Sequence, residues 1–320
     1  TRRERAQYIR SFGGRPRRTI DNLNAVVAIL PQNMAAESLP PSPIVVAADP
    51  DFYVAAAQVV TGDPHFPDQW ALPAMGVPDV WAAIPENTTP VTVAVIDSGI
   101  CMNHPDLAGR IVGGWDFVED DDLPQDDFGH GCGVAGIIAA TANNGVGIAG
   151  VAPNAQIMPL RVLDARGVGS FSDVAAAVVY AADSGAQIIN FSLAGPATVP
   201  IVEDAIQYAA ARGVIMVGAA GNNGTDSVWY PAAYEPVIAV GAVDMTLQRS
   251  DFSNYGRIDL QAPGRDIFTT DVSGGYVTMT GTSFAAPQVS GIAALALAFN
   301  TPLTTDGGVV FISPPQQTQC

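Results

Sequence analysis

The chain has no lysine, so 14 arginines carry its positive charge apart from three histidines. Against 31 acidic residues they leave a formal net charge of −17 at pH 7. The charge is uneven: residues 1–58 hold seven Arg and five acids, whereas the remainder holds seven Arg and 26 acids. A strongly acidic body repels nucleic acid and anionic membranes and favours cations. We therefore expect no nucleic-acid or membrane partner.

Cysteine and long hydrophobic runs are also scarce. Cys101, Cys132 and Cys320 are an odd number and imply no disulfide framework. One pair is possible, but spacing alone does not establish it, so we expect free thiols. No apolar run approaches the roughly 18 to 20 residues that a membrane-spanning helix needs.

What is present is enough apolar residues, 48% of 320, for one large domain and a small appendage. Residues 19–29 predict a strand, 32–41 a short helix and 44–56 a second strand. A polar, proline-bearing stretch follows, so we place a boundary near residue 58. The expected organisation is a small α+β unit at 1–58, a large domain at 59–300 and an irregular tail at 301–320.

The large domain alternates between two patterns. Continuous β-rich runs suit parallel strands buried on both faces, and they occupy residues 91–97, 186–193, 213–220 and 236–243. Ala-rich amphipathic segments that end in glycine lie between them and predict helices. This alternation predicts an α/β fold with a doubly wound, mostly parallel sheet, whose sites lie at the carboxyl ends of the strands.

Four residues stand at strand ends or helix starts and could carry chemistry. Asp97 ends a predicted strand, although many α/β proteins end a strand in Asp. His130 begins a predicted helix and is one of few candidates for a base that titrates near neutral pH. Ser283 lies at the start of a long apolar helix, where it could be only an N-cap. Asn222 lies in an Asn-Gly turn or donates an N–H to an oxyanion.

Together these residues match a known order. Asp97, His130 and Ser283 follow one another at separations of 33 and 153 residues. Subtilisin has the same Asp-His-Ser order and uses an Asn side chain as a donor to the oxyanion. The motifs VAVIDSGI, HPDL, GHGCGVAG, INFSLAG, AAGNNG, FSNYG and GTSFAAPQVSG stand in the same order as in that family. Residues 60–300 therefore resemble the subtilisin-like serine proteases, most of all their thermitase-like secreted branch, and residues 1–58 resemble a partial inhibitory propeptide without its first strand and helix.

The resemblance implies a serine endopeptidase that acts through an acyl-enzyme. Ser283 would be the nucleophile, His130 the general base and acid, Asp97 the residue that orients the histidine, and Asn222 the oxyanion donor. Polypeptide substrates would bind as an added strand. The resemblance implies one substrate-binding edge at Gly167, Val168 and Gly169 and a second at Ser192, Leu193 and Ala194. The walls of the S1 pocket would be this second edge together with Ala219, Ala220 and Gly221, and Phe171 would lie near S4.

Three departures from the family pattern carry predictions. Trp229 stands at the base of S1 in place of a small residue, and an inward ring would disfavour large aromatic P1 side chains; an outward-facing Trp is an equal alternative. Phe284 replaces the usual Met beside the nucleophile, which predicts resistance to peroxide. Cys132 lies two residues after the base, so mercurials could inhibit the enzyme, although a buried inert thiol is an equal alternative.

Calcium is the cofactor that the resemblance implies. One site would use Asp63, Asp106, Asn144 and the carbonyls of the loop at Ala142, Val146 and Ile148, all oxygen ligands that suit a hard cation. A second, weaker site would use Asp116 and Asp121 of an acidic stretch.

Alternative functions remain at this point. The main rival is a catalytically silent subtilisin-like binding or scaffold protein, although all four key residues are present. An α/β-hydrolase esterase is disfavoured because Ser283 lacks the G-x-S-x-G motif. We expect a secreted monomer that is inhibited by its own propeptide and cleaved between Tyr53 and Asp63.

Overall fold

The computed structural model describes residues 2–20, 25–31, 34, 39, 42, 61–84, 88–299, 304–306 and 308–311. The chain forms two compact units, Thr1–Ala57 and Gln58–Cys320. The expected helix at 32–41, the expected strand at 44–56 and the expected cleavage region up to residue 60 lie largely or wholly outside the described residues.

The first unit begins with a helix, α1 (Arg2–Ser11), followed by strands β1 (Arg15–Ile20) and β2 (Ala25–Ile29). The two strands pair antiparallel, with Ile20 opposite Ala25. The single strand predicted at 19–29 is therefore wrong, because Thr19 and Ile20 end one strand and 25–29 form another. Helix α1 was not predicted from the sequence.

The second unit contains six helices and eleven strands among the described residues. The helices are α2 (Ala71–Ala74), α3 (Val77–Trp81), α4 (His130–Ala139), α5 (Phe171–Asp183), α6 (Pro200–Ala210) and α7 (Thr282–Phe299). The strands are β3 (Thr92–Asp97), β4 (Trp115–Asp116), β5 (Gln156–Arg161), β6 (Ile188–Phe191), β7 (Ile215–Ala219), β8 (Val237–Val243), β9 (Leu260–Pro263), β10 (Ile267–Thr270), β11 (Tyr276–Met279), β12 (Thr304–Asp306) and β13 (Val309–Phe311).

Nine of these strands form one sheet in the order β12-β13-β9-β8-β7-β6-β3-β5-β4. Every neighbouring pair is parallel except β12 and β13. Strand β3 lies between β5 and β6. The chain therefore adds β4 and β5 on one side of β3 and then β6 and the later strands on the other side. The predicted doubly wound α/β fold is confirmed, and this reversal at β3 is where such sheets place their sites.

Helices cover both faces of the sheet because side chains along a strand alternate in direction. Val93 and Val95 of β3 belong to the core on the face of α4 and α7, whereas Ala94 and Ile96 belong to the core beneath α5 and α6. Burial on both faces explains why the sequence of β3 is a continuous apolar run.

Two expectations about the end of the chain need correction. Helix α7 has 18 residues and is apolar enough to cross a membrane by length and composition, contrary to the expectation from the sequence. Its residues are 78% buried within the fold, so it serves as the central core helix here. The tail at 301–320 is not wholly irregular, since β12 and β13 join the sheet.

Candidate active site

Asp97 and His130 meet at the carboxyl end of β3. His130 Nδ1 lies 2.8 Å from Asp97 Oδ1. The carboxylate is fully buried and the imidazole side chain is 19% exposed. Because an ionised carboxylate only accepts, Nδ1 carries the proton, and Nε2 of the neutral ring is left as an acceptor. This pair can hold and deliver a proton at Nε2.

The first turn of α4 is held against β3 by several contacts. Ser98 Oγ accepts the N–H of Gly131 at 2.9 Å. A Cβ on Gly131 would lie 2.2 Å from the carbonyl oxygen of Gly99, so only glycine permits this approach. Asp126 accepts the N–H groups of Phe128, Gly129 and Cys132 at 2.8 to 2.9 Å. These contacts fix the position from which His130 extends.

The pKa of His130 is raised above its ordinary value. Burial alone would lower this pKa, but the charge of Asp97, its hydrogen bond and the charge of Asp126 together outweigh that effect. Because its pKa is raised, His130 stays protonated to a higher pH than an ordinary histidine and becomes a neutral base only above that pH. Asp126 was not singled out from the sequence, although an acid just before a helix start is a recognisable signal.

A disulfide joins Cys101 to Cys132, with the two Cα atoms 5.1 Å apart. The expectation of free thiols is therefore wrong for these two residues, and the mercurial sensitivity predicted for Cys132 has no free thiol behind it. The residues are 31 positions apart and meet only because β3 and α4 pack together. Cys320 lies outside the described residues.

Asn222 and Ser283 lie at neighbouring chain segments. Asn222 Oδ1 accepts both the N–H and the hydroxyl of Thr282, at 2.8 and 2.9 Å. These bonds identify the oxygen of the amide, so Nδ2 is the atom that remains to donate, and no described residue accepts from it. Ser283 is half-buried at the second position of α7, where the helix dipole favours negative charge.

The residue after Ser283 contacts His130. The Phe284 ring lies 5.1 Å from the His130 ring, measured between centroids. Among the described residues no hydrogen bond joins the Ser283 hydroxyl to the imidazole, and such bonds are often long before substrate binds.

A cleft of about 340 Å³ opens beside His130. Its walls come from the segments that follow the carboxyl ends of β3, β5 and β6. It brings together seven of the sequence-predicted binding residues, namely Gly167, Val168, Gly169, Phe171, Ser192, Leu193 and Ala194, and adds Phe128 and Gly195. An extended ligand could lie between the two edges that these segments form.

The remaining predicted wall residues lie outside that cleft. Ala219 ends β7, Ala220 and Gly221 follow it, and all three are buried. The backbone N–H of Trp229 donates to the Ala220 carbonyl. A Cβ built on Gly221 would lie 3.3 Å from the Trp229 ring. The indole therefore lies beside Gly221, and whether its ring narrows S1 stays a prediction.

The residues predicted for the first cation site converge on the loop 142–150. Asp63 accepts N–H groups from Asn143, Asn144 and Gly145, and Asp106 accepts from Asn144 Nδ2. Both carboxylates are buried, and neither pairs with a cationic side chain among the described residues. They also raise the pKa of Tyr276, after the larger effect of burial. Asp106 also accepts from the Ile148 N–H and the Tyr276 hydroxyl, and Asn144 Oδ1 accepts the N–H of Val146. Among the described residues no three His, Cys, Asp or Glu side chains come together as metal ligands; the two buried carboxylates, which lack a cationic partner, are still ligands that a hard cation prefers.

The second predicted cation site differs in this respect. The buried Asp116 carboxylate pairs with Arg161 at 2.6 Å and accepts two backbone N–H groups. Asp121 accepts the N–H of Leu123. Since an arginine already neutralises Asp116, the structure gives no support to this site. Arg161 was missed because it lies 45 residues further along the chain.

Comparison with known proteins agrees with this geometry. Residues 88–307 match the model of the subtilase family, peptidase S8. The chain belongs to the subtilase family. It is 43% identical over 277 residues to the thermophilic serine proteinase of Bacillus sp. (strain AK1), covering 86% of this chain and 67% of the relative.

Two further relatives agree. Thermitase of Thermoactinomyces vulgaris is 44% identical over 235 residues, which cover 73% of this chain and 84% of thermitase. The crystal structure of a cold-adapted subtilisin-like serine proteinase superposes with a TM-score of 0.62 at 38% identity, covering 69% of this chain and 81% of that one. The subtilase is thus a serine-type endopeptidase, which confirms the predicted activity class.

Proposed function

We propose that the subtilase hydrolyses peptide bonds with Ser283 as nucleophile, His130 as general base and acid, Asp97 as the orienting carboxylate and Asn222 as oxyanion donor. The observation that carries this assignment is the 2.8 Å contact between His130 and the buried Asp97. Nε2 takes the Ser283 proton as Oγ attacks the peptide carbonyl, then gives it to the leaving amine. Water hydrolyses the acyl-enzyme by the same route.

The tetrahedral oxyanion accepts hydrogen bonds from Asn222 Nδ2 and the Ser283 backbone N–H. The Thr282 bonds to Asn222 Oδ1 support this role, since they hold the amide with its donor side outward. Loss of one such donor lowers kcat by about 100- to 1000-fold.

Substrate binds as an extended strand between residues 167–169 and 192–194. Both segments border the cleft beside His130, and Val168 is 59% exposed. Main-chain bonding of this kind gives broad sequence tolerance.

Asp63, Asp106, Asn144 and the carbonyls of Ala142, Val146 and Ile148 would hold structural Ca²⁺, which would compensate the charge of the two buried carboxylates. Calcium removal with a chelator should lower Tm, and Asp106→Asn should reduce that loss. Equal chelator sensitivity in Asp106→Asn and the parent would argue against this site.

Residues 1–58 act as an intramolecular inhibitor that is cleaved on maturation, and the enzyme is a secreted monomer. The Arg-rich composition of residues 1–58 complements the acidic remainder, which supports the first statement. The disulfide supports secretion, since disulfides persist in oxidising compartments.

One experiment separates the protease from a silent binding protein. A fluorophosphonate probe should label the protein at Ser283, and casein should be digested. Ser283→Ala should abolish both. Ser250→Ala is the matched control, because Ser250 is buried and its hydroxyl has no partner among the described residues. Persistent labelling in Ser283→Ala, or no labelling of the parent protein, would refute the assignment.

A further inference from the structure

The carbonyl of Ser283 occupies an unusual position in its helix. In an α-helix the C=O of residue i accepts the N–H of residue i+4. For Ser283 that residue is Pro287, which has no N–H. The buried hydroxyl of Ser192 supplies a donor instead, at 2.7 Å from the Ser283 carbonyl oxygen. A side chain outside the helix therefore holds the main chain of the proposed nucleophile.

Ser192 is itself held from behind by two further side chains. Asn190 Nδ2 donates to Ser192 Oγ at 2.9 Å, and Ser290 Oγ donates to Asn190 Oδ1 at 2.9 Å. Asn190 and Ser290 are fully buried and Ser192 is 2% exposed. Ser192 has one proton and gives it to Ser283, so it must accept from Asn190. The chain of hydrogen bonds thus has one direction, from Ser290 to the Ser283 carbonyl.

We propose that Asn190 and Ser290 are positioning residues for Ser283, acting through Ser192. The inference deepens the proposed function, since it assumes that Ser283 is the nucleophile. Neither side chain lines the cleft beside His130. Ser290 lies seven residues along α7 from Ser283, about two helical turns away. A network that reaches from the middle of α7 to its first turn fixes that turn against β6.

The proposed reaction explains why the first turn of α7 has to be held in place. Ser283 must present Oγ to Nε2 of His130 while its N–H faces the oxyanion, and errors of about 1 Å in such placements can cost 100-fold in rate. Ser192 also belongs to a proposed substrate-binding edge. The same hydroxyl therefore links the substrate edge to the nucleophile, so the loss of its buried partners should be felt in kcat more than in KM.

The test is a double-mutant cycle on kcat with a peptide substrate. Ser290→Ala should lower kcat about tenfold with little change in KM, and should slow fluorophosphonate labelling equally. Ser192→Ala should do the same, and the double variant should be no slower than Ser192→Ala, because coupled residues are not additive. Ser250→Ala should leave kcat unchanged.

A purely structural role predicts a different pattern. In that case Ser290→Ala lowers stability but keeps the kcat of the control, or its effect adds to that of Ser192→Ala; either result overturns the inference. If Ser290→Ala does not fold, Ser290→Cys replaces it, since a thiol is a weak donor of similar shape. An unchanged kcat in Ser290→Cys would then refute the proposal, and a lowered kcat would support it. Failure of the parent protein to be labelled at Ser283 would instead refute the proposed function.

Discussion

The Cys101–Cys132 disulfide allows a quantitative test of how the active-site segments are held. It joins the loop that follows Asp97 to the first turn of α4, which begins with His130. Both half-cystines are buried, at 3% and 0% exposure, so the variant Cys101→Ala/Cys132→Ala removes the link without adding bulk. The perturbation is confined to the link between the loop after Asp97, the proposed orienting carboxylate, and the helix that begins with His130.

The expected loss of stability follows from the loop that the bond closes. With a separation of 31 residues, chain entropy assigns the bond about 3.7 kcal/mol at 25 °C. For a unit of this size that corresponds to a fall in Tm of about 10 °C. Because Asp126 and Ser98 still hold the start of α4, kcat at 25 °C should stay within about threefold of the parent.

The assay is calorimetry on protein inactivated with a sulfonyl fluoride, which prevents autolysis during unfolding. Cys320→Ala is the control and should melt like the parent, whereas reductant under denaturing conditions should convert the parent to the behaviour of the double variant. The denatured, unreduced parent should titrate no more than one thiol. Three titratable thiols, or a double variant that melts within about 2 °C of the parent, would refute the reasoning.

Three further predictions concern pH, specificity and oxidation. Since the pKa of His130 is raised, kcat/KM should fall as pH drops through a value above 6.5; Asp126→Asn should move that limb to lower pH, and an unmoved limb would contradict the role of Asp126. In peptide nitroanilides, Trp229→Gly should raise the ratio of kcat/KM with Phe at P1 to kcat/KM with Ala at P1. A parent enzyme that already prefers Phe would contradict this prediction. Phe284→Met should make the enzyme sensitive to dilute peroxide; rapid inactivation of the parent would oppose this.

The central strands could be predicted from the sequence for a physical reason. A parallel strand buried on both faces must be apolar throughout, so β3, β6, β7 and β8 are visible as continuous runs. Their carboxyl ends share one edge of the sheet, and the segments after β5 and β6 do line a cleft beside His130. The binding edges themselves were implied by the resemblance to the subtilisin-like proteases, since β5, which precedes one of them, was not among the predicted strands.

Other features depend on contacts that no local pattern contains. The pairing of Cys101 with Cys132 requires the packing of α4 on β3. The strands β1 and β2 were merged because the Arg-rich β1 has no apolar pattern, and only its last residues, Thr19 and Ile20, were joined to the apolar run of β2. Strand β11 is only partly buried, and β9 ends in Pro263, so neither has the composition of a central strand. In each case tertiary contacts outweigh local preference.

The aspartates show where interpretation of the sequence reaches its limit. An Asp beside a loop can bind a cation, pair with arginine or accept backbone N–H groups, and all three uses need the same carboxylate. Asp126 accepts three N–H groups and Asp116 is neutralised by Arg161. Asp63 and Asp106 lie buried together without a cationic side chain among the described residues. Asp63 also accepts three N–H groups and Asp106 accepts from Asn144, Ile148 and Tyr276, so what separates this pair from Asp116 is the missing arginine. The proposed calcium site therefore predicts that chelator sensitivity depends on Asp63 and Asp106 and not on Asp116.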